Sequence, residues 1–168
     1  MPEVWNAERL SNGTMFLFTV ISAETNAFSA TLPVKSGYLL RRSTSIEWYV
    51  LDILRSEYNG GGALMHCFSE SVETARILLN MGLTIAIGGT VTFKNNVRTV
   101  EAVKFIPLEN MVIETDCPYL SPTPHRGERN SSLNIHYVAE KIAQIKGVSP
   151  ALVEEITTEN AKRFFDID

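Results

Sequence analysis

The sequence predicts an α/β fold with a parallel sheet, and three observations carry that prediction. From residue 38 onward, short apolar runs alternate with helix-period segments in the order strand, helix, strand, helix, strand, helix, strand, helix, helix. The links between them are short and rich in glycine, proline and capping residues. Polar groups suited to chemistry (His66, Gly88 with Gly89, Glu114 with Asp116) fall at the carboxyl ends of three successive strands. Ligand sites of parallel sheets lie at those ends.

The elements follow in order. Tyr38, Leu39 and Leu40 form a brief strand, and Thr44 or Ser45 can cap a helix to about Tyr58 with Ile46, Val50, Ile53 and Leu54 on its apolar face. Gly60, Gly61 and Gly62 break that helix, and ALMHCF, Ala63 to Phe68, reads as the next strand with His66 near its end. A helix from Ser71 to Met81 carries Val72, Ala75, Leu78 and Leu79 at helical spacing, with Gly82 to stop it. LTIAI, Leu83 to Ile87, is a strand closed by Gly88 and Gly89. The helix after it is expected to bury Val97, Val100 and Val103 and to end before Pro107. Met111 to Ile113 is a strand, and Ser131 or Ser132 can cap a helix bearing Ile135, Val138, Ile142 and Ile145 up to Gly147. Ser149 and Pro150 start a last helix with Val153 and Ile156, ending near Phe165.

With 168 residues, 45% of them hydrophobic, the chain can bury one sizeable core. A net charge of -4 leaves no global basic field for nucleic acid, so any phosphate contact must be a local patch or a metal. Cys67 and Cys117 lack a CxxC or Cys/His spacing, which points to a reduced, cytoplasmic setting. MFLFTVI, Met15 to Ile21, is far too short to span a bilayer and is preceded by Glu3 and Glu8, so no membrane partner is expected.

The stretch Met111 to Gly127 organises the rest. Glu114 and Asp116 are two residues apart, so on an extended chain they point to one side, and such a carboxylate pair suits a hard divalent cation. Pro118, Pro122 and Pro124 fix φ at three places and reduce the entropy lost in holding His125 and Arg126 over the strand end. An acidic strand end followed by a surface turn is the alternative reading, and a strand histidine such as His66 is often satisfied in a core.

HCFSES at 66–71, IGGTVTFKN at 87–95, IETDCPYLSPTPHRGERN at 113–130 and EITTENAKRFF at 155–165 resemble the TatD family of metal-dependent hydrolases, from about Gly60 to the C-terminus. The resemblance implies the C-terminal part of a TIM (β/α)8 barrel over residues 37–168, with residues 1–36 outside any match. It further implies divalent metal ions (magnesium, manganese or zinc) and a deoxyribonuclease or wider phosphodiester hydrolase activity. His66 and Asp116 take the family's metal-ligand positions, with Asp116 and Glu114 as catalytic carboxylates and His125 and Arg126 as substrate contacts.

The family's HxH pair has no counterpart in this sequence, nor has its fourth-strand glutamate, and the fifth-strand histidine position falls on Arg41 or Arg42. Glu70 and Cys117 stand where the family commonly has glycine and alanine. A full TIM barrel takes about 250 residues. The expectation is therefore a truncated chain that binds metal weakly, hydrolyses DNA poorly or not at all, and self-associates through exposed sheet edges. A non-catalytic remnant serving as an interaction surface and a D-aminoacyl-tRNA deacylase-like hydrolase are the alternative functions.

Overall fold

A computed structural model describes residues 38–40, 51, 54, 55, 58 and 62–167. The chain divides into two units, Met1–His66 and Cys67–Asp168. In the first unit, β1 (Tyr38–Leu40) and β2 (Ala63–Met65) run parallel, Tyr38 opposite Ala63 and Leu40 opposite Met65. All three β2 side chains are buried, as an unbroken apolar run requires. Leu51 and Leu54 are helical and buried, and the Tyr58 N–H donates to the Leu54 carbonyl at 2.9 Å. The rest of the expected 44–58 helix face (Ile46, Val50, Ile53), the MFLFTVI run and the Arg41 and Arg42 positions lie outside the described residues.

The second unit holds β3 (Thr84–Ile87) and β4 (Met111–Ile113), again parallel, with Ile85 opposite Met111 and Ile87 opposite Ile113. Four helices follow the expected order: α1 (Val72–Asn80), α2 (Val97–Phe105), α3 (Ile135–Lys146) and α4 (Pro150–Phe165). Helix α3 packs against both α2 and α4, and α4 also packs on β4. Leu78, Ile85, Ile87, Val103, Ile142 and Val153 are fully buried between these layers. Each such side chain contributes about 1.5–3 kcal/mol. The exposed pairs Lys104–Glu101 and Lys162–Glu159 contribute about 0.3–0.5 kcal/mol each, so burial decides the fold.

The caps explain where the helices begin. Ser71 Oγ accepts the Thr74 N–H, and Ser149 Oγ accepts that of Leu152 with Pro150 at the first position, the second of these as the sequence predicts. The α3 expectation fails here: a 3-10 turn, Ser132–Asn134, leads into the helix, and neither Ser131 nor Ser132 makes a capping bond. In α2 the buried residues are Thr99, Ala102 and Val103, whereas Val97 is exposed. Asn96 fixes that phase, because its Oδ1 accepts both the Thr99 N–H and the Thr99 hydroxyl. At the other end of α2, the Lys146 ammonium donates to the Lys104 carbonyl at 3.0 Å and the Ile106 carbonyl at 2.5 Å. Burial pushes the Lys146 pKa down, and the charge of Glu109 acts against that shift.

One buried amide fixes β4. Asn160, on α4, donates through Nδ2 to the carbonyls of Leu108 and Met111, both at 2.7 Å, while its Oδ1 accepts from Arg163 at 2.7 Å. The Glu114 N–H donates to the Ile87 carbonyl at 3.1 Å, so alternate residues of β4 face β3 and Met111 faces away. Asn160 satisfies that outward carbonyl. No helix among the described residues is long and apolar enough to cross a membrane.

Candidate active site

The site builds on the end of β4. Glu114 continues the β3–β4 ladder by one residue, and with Asp116 two positions further the two carboxylates reach one place, as their spacing predicts. Cys67 joins them: one donor atom from each of Cys67, Glu114 and Asp116 lies within 4.8 Å of the others. The expected strand ALMHCF stops at Met65, with His66 and Cys67 in a turn. The physical reason is the left-handed conformation of Cys67, φ 51°, which no strand accommodates. The Cys67 N–H donates to Glu114 Oε1 at 2.5 Å, so a carboxylate holds this uncommon backbone conformation. The Phe68 N–H then returns to the Ala86 carbonyl of β3 at 3.0 Å.

Gly88 completes the cradle. A Cβ there would stand 3.2 Å from Asp116 Oδ2, so the missing side chain leaves room for this buried oxygen. Two carboxylates and a thiol fit a divalent cation: zinc accepts sulfur and oxygen donors, while magnesium and manganese take the carboxylates. His66 is half-buried and is the last residue of the first unit, whereas this donor group belongs wholly to the second. Glu70 is 7% exposed and pairs with Arg98 at 3.7 Å, which supplies this buried carboxylate with a countercharge.

The loop from Asp116 to Asn130 is braced from within. The Tyr119 N–H donates to the Asp116 carbonyl, Ser121 Oγ to the Glu128 carbonyl, the Asn130 N–H to the Pro118 carbonyl and Asn130 Nδ2 to the Tyr119 carbonyl, at 2.7–3.0 Å. The Cys117–Pro118 and Thr123–Pro124 peptides are cis. The loop also locks onto the 3-10 turn Gly89–Thr92, where Thr92 Oγ1 accepts the Thr123 N–H at 2.8 Å. A Cβ on Gly89 would lie 2.5 Å from the Leu120 carbonyl oxygen, so only glycine permits this approach.

His125 and Arg126 occupy different situations. Both ring nitrogens of His125 are engaged, Nδ1 with Glu128 Oε2 at 2.9 Å and Nε2 with the Tyr137 hydroxyl at 3.1 Å. Arg126 is exposed, and its guanidinium lies over the Phe93 ring, 3.6 Å from the centroid. The sequence reading missed Cys67 as a donor, although it adjoins His66, and missed Phe93 beneath Arg126. Nothing local in the sequence pairs those last two.

A family model described as TatD related DNase matches residues 42–166. The chain belongs to that family. Among curated members, YabD of Bacillus subtilis, named an uncharacterized metal-dependent hydrolase, is 47% identical over 120 residues, covering 71% of this chain and 47% of its own length. YcfH of Escherichia coli, named likewise, is 43% identical over 119 residues, 70% of this chain and 45% of its own. Among solved structures, a TatD family hydrolase from Entamoeba histolytica superposes with a TM-score of 0.66 at 25% identity, covering 76% of this chain and 50% of that one. The TatD homologue YJJV of Escherichia coli gives 0.70 at 20% identity, covering 79% and 51%. The α/β fold expected from the sequence, that of TatD-family TIM-barrel hydrolases, is thus the fold found. The chain spans about half the length of the relatives it matches.

Proposed function

We propose that this chain carries the chemistry of a metal-dependent phosphodiesterase acting on DNA, with Asp116 as its central group. The observation that supports this reading best is the convergence of Glu114 and Asp116 at the end of β4 in a member of the TatD-related family. Asp116 and His66 are the proposed metal ligands, and Glu114 and Cys67 stand with Asp116 in one donor group. A bound divalent cation supplies positive charge for phosphate oxygens and acidifies water. Glu114 has a second task, since its Oε1 fixes the backbone of Cys67 and thereby the turn that follows His66. Arg126 is the proposed phosphate contact, because a guanidinium presents paired N–H groups to two phosphate oxygens. The bonds made by both His125 nitrogens favour a bracing role for that residue within the loop.

The test is cleavage of fluorescent single-stranded DNA with magnesium, manganese or zinc, against a chelator and an Asp116→Asn variant. Slow cleavage that needs metal and disappears in the variant is expected. Cleavage unchanged by chelator, or equal in the variant, removes the proposal. A D-aminoacyl-tRNA arm run beside it separates carboxylic from phosphate ester substrates.

A further inference from the structure

Glu128, His125 and Tyr137 form a line of hydrogen bonds where the 116–130 loop meets the first turn of α3. His125 stands in the middle, with Nδ1 bonded to Glu128 Oε2 at 2.9 Å and Nε2 bonded to the Tyr137 hydroxyl at 3.1 Å. A carboxylate only accepts, so Nδ1 carries the ring proton. In the neutral imidazole Nε2 then holds the lone pair, and the Tyr137 O–H donates to it. The order is carboxylate, imidazole, hydroxyl, and each proton is placed by the group beside it.

The line is held in position from outside. The His136 ring lies 3.9 Å from that of Tyr137, centroid to centroid, and is itself fixed by a 2.7 Å bond from Nδ1 to the Leu133 carbonyl. The Glu128 N–H donates to the His125 carbonyl at 3.1 Å, closing the turn that sets the spacing of these two residues. The line is nevertheless open to solvent, since the His125 side chain is 34% exposed and that of Glu128 68%. It shares no residue with the donor group of Cys67, Glu114 and Asp116. A brace needs only that its donors and acceptors be satisfied. A hydroxyl bonded to an imidazole whose other nitrogen is held by a carboxylate also meets the geometric requirement for an activated nucleophile.

We propose that Tyr137 is a nucleophilic tyrosine that accepts an acyl group from activated aryl esters, with His125 as its general base and Glu128 as the residue that positions the base. The Tyr137 oxygen attacks the ester carbonyl carbon while its proton passes to His125 Nε2. The carbonyl reforms as the bond to the leaving oxygen breaks, and that oxygen takes the proton back from Nε2. The products are O-acyl-Tyr137 and the free phenol, with the imidazole neutral again. Because the acyl group ends on a phenol oxygen, the leaving group must be a weaker base than tyrosine's own phenolate, or the addition reverses. That condition selects activated aryl esters over alkyl esters. The step lies outside the phosphodiester chemistry of the acidic cluster and does not depend on it.

The test is incubation of the intact chain with p-nitrophenyl acetate in chelator, with peptide mass spectrometry over time to rank the tyrosines by rate of acetylation. Tyr119 is the internal reference, being 73% exposed with a hydroxyl that makes no hydrogen bond among the described residues. Exposure alone would make Tyr119 react first. Tyr137 is instead expected to react about a hundredfold faster, the low end of what a positioned base supplies, because an exposed carboxylate holds the ring less firmly than a buried one. This comparison needs no substituted chain. His125→Ala should bring Tyr137 down to the rate of Tyr119, and free imidazole added to that variant should restore acetylation at Tyr137 ahead of Tyr119. Glu128→Gln should slow Tyr137, and the ring-nitrogen resonances of His125 should pass from the Nδ1–H form to a mixture of both tautomers, since an amide can donate to Nδ1 as well as accept from it. Tyr137 reacting no faster than Tyr119, a rate unchanged in His125→Ala, or imidazole without preference for Tyr137 overturns the proposal. An unchanged rate and tautomer in Glu128→Gln overturns the positioning role.

Discussion

Replacing Asn160 with leucine should be among the more damaging single changes in the second unit. The side chain is 5% exposed and its Nδ2 donates two bonds of 2.7 Å. The two carbonyls differ in what they lose. That of Leu108 also accepts the Met111 N–H and keeps a partner, so its loss is about 0.5–1.5 kcal/mol. That of Met111 faces away from β3 and is left buried without a donor, at about 1–3 kcal/mol. The sum is roughly 2–4 kcal/mol, or a fall in Tm of about 5–15 °C for a chain of this size. Asn160→Asp should be worse than leucine despite its closer shape. It places a carboxylate oxygen where an N–H₂ faced two carbonyl oxygens, and the Arg163 bond to Oδ1 offsets only part of that repulsion. Urea and thermal unfolding of the three proteins measure this. A leucine variant within about 0.5 kcal/mol of wild type would refute the reasoning, because Met111 must then find another donor.

Three further outcomes are expected. Gly89→Ala should lower stability by about 1–3 kcal/mol, read by urea unfolding, since its Cβ meets the Leu120 carbonyl oxygen at 2.5 Å and the backbone must move. Glu114→Ala should cost about 1.5–3 kcal/mol through the Cys67 N–H, while Glu114→Gln keeps an acceptor and most of that stability; calorimetric titration with zinc or manganese should find metal binding weakened in both. For Lys146, burial places the folded pKa below the ordinary 10.5, so between the two values the unfolded chain binds more protons and stability rises with pH. The stability of wild type relative to Lys146→Met should therefore increase as pH approaches 10.5, and a difference that is flat or falls with pH contradicts the assignment.

The element order, the β4 strand and the cap at Ser149 were legible because each rests on local chemistry: an apolar run, a hydroxyl, a first-turn proline. The meeting of Glu114 and Asp116 was legible for the same reason, since an extended chain sends alternate side chains to one side. The buried face of α2 was not. Its nine residues offer a valine stripe by hydropathy, but the face that packs contains Thr99 and Ala102, and the Asn96 bonds that select it count for nothing on a hydropathy scale. The left-handed turn at Cys67 was hidden within a run that reads as strand, because its cause is a carboxylate 47 residues away. Arg126 over Phe93 and Asn160 beneath β4 are likewise long-range pairings, which no local period encodes.

The three-residue strand β4 is answerable to two different demands at its two ends. Its amino end is bolted by Asn160, and about 10 Å further on, at about 3.3 Å per residue, its carboxyl end delivers Glu114 and Asp116. The amide anchor acts at one end and the paired carboxylates stand at the other, with a short strand between. The loop from 116 to 130 can thus be exchanged for another of similar span without removing the amide that anchors the strand.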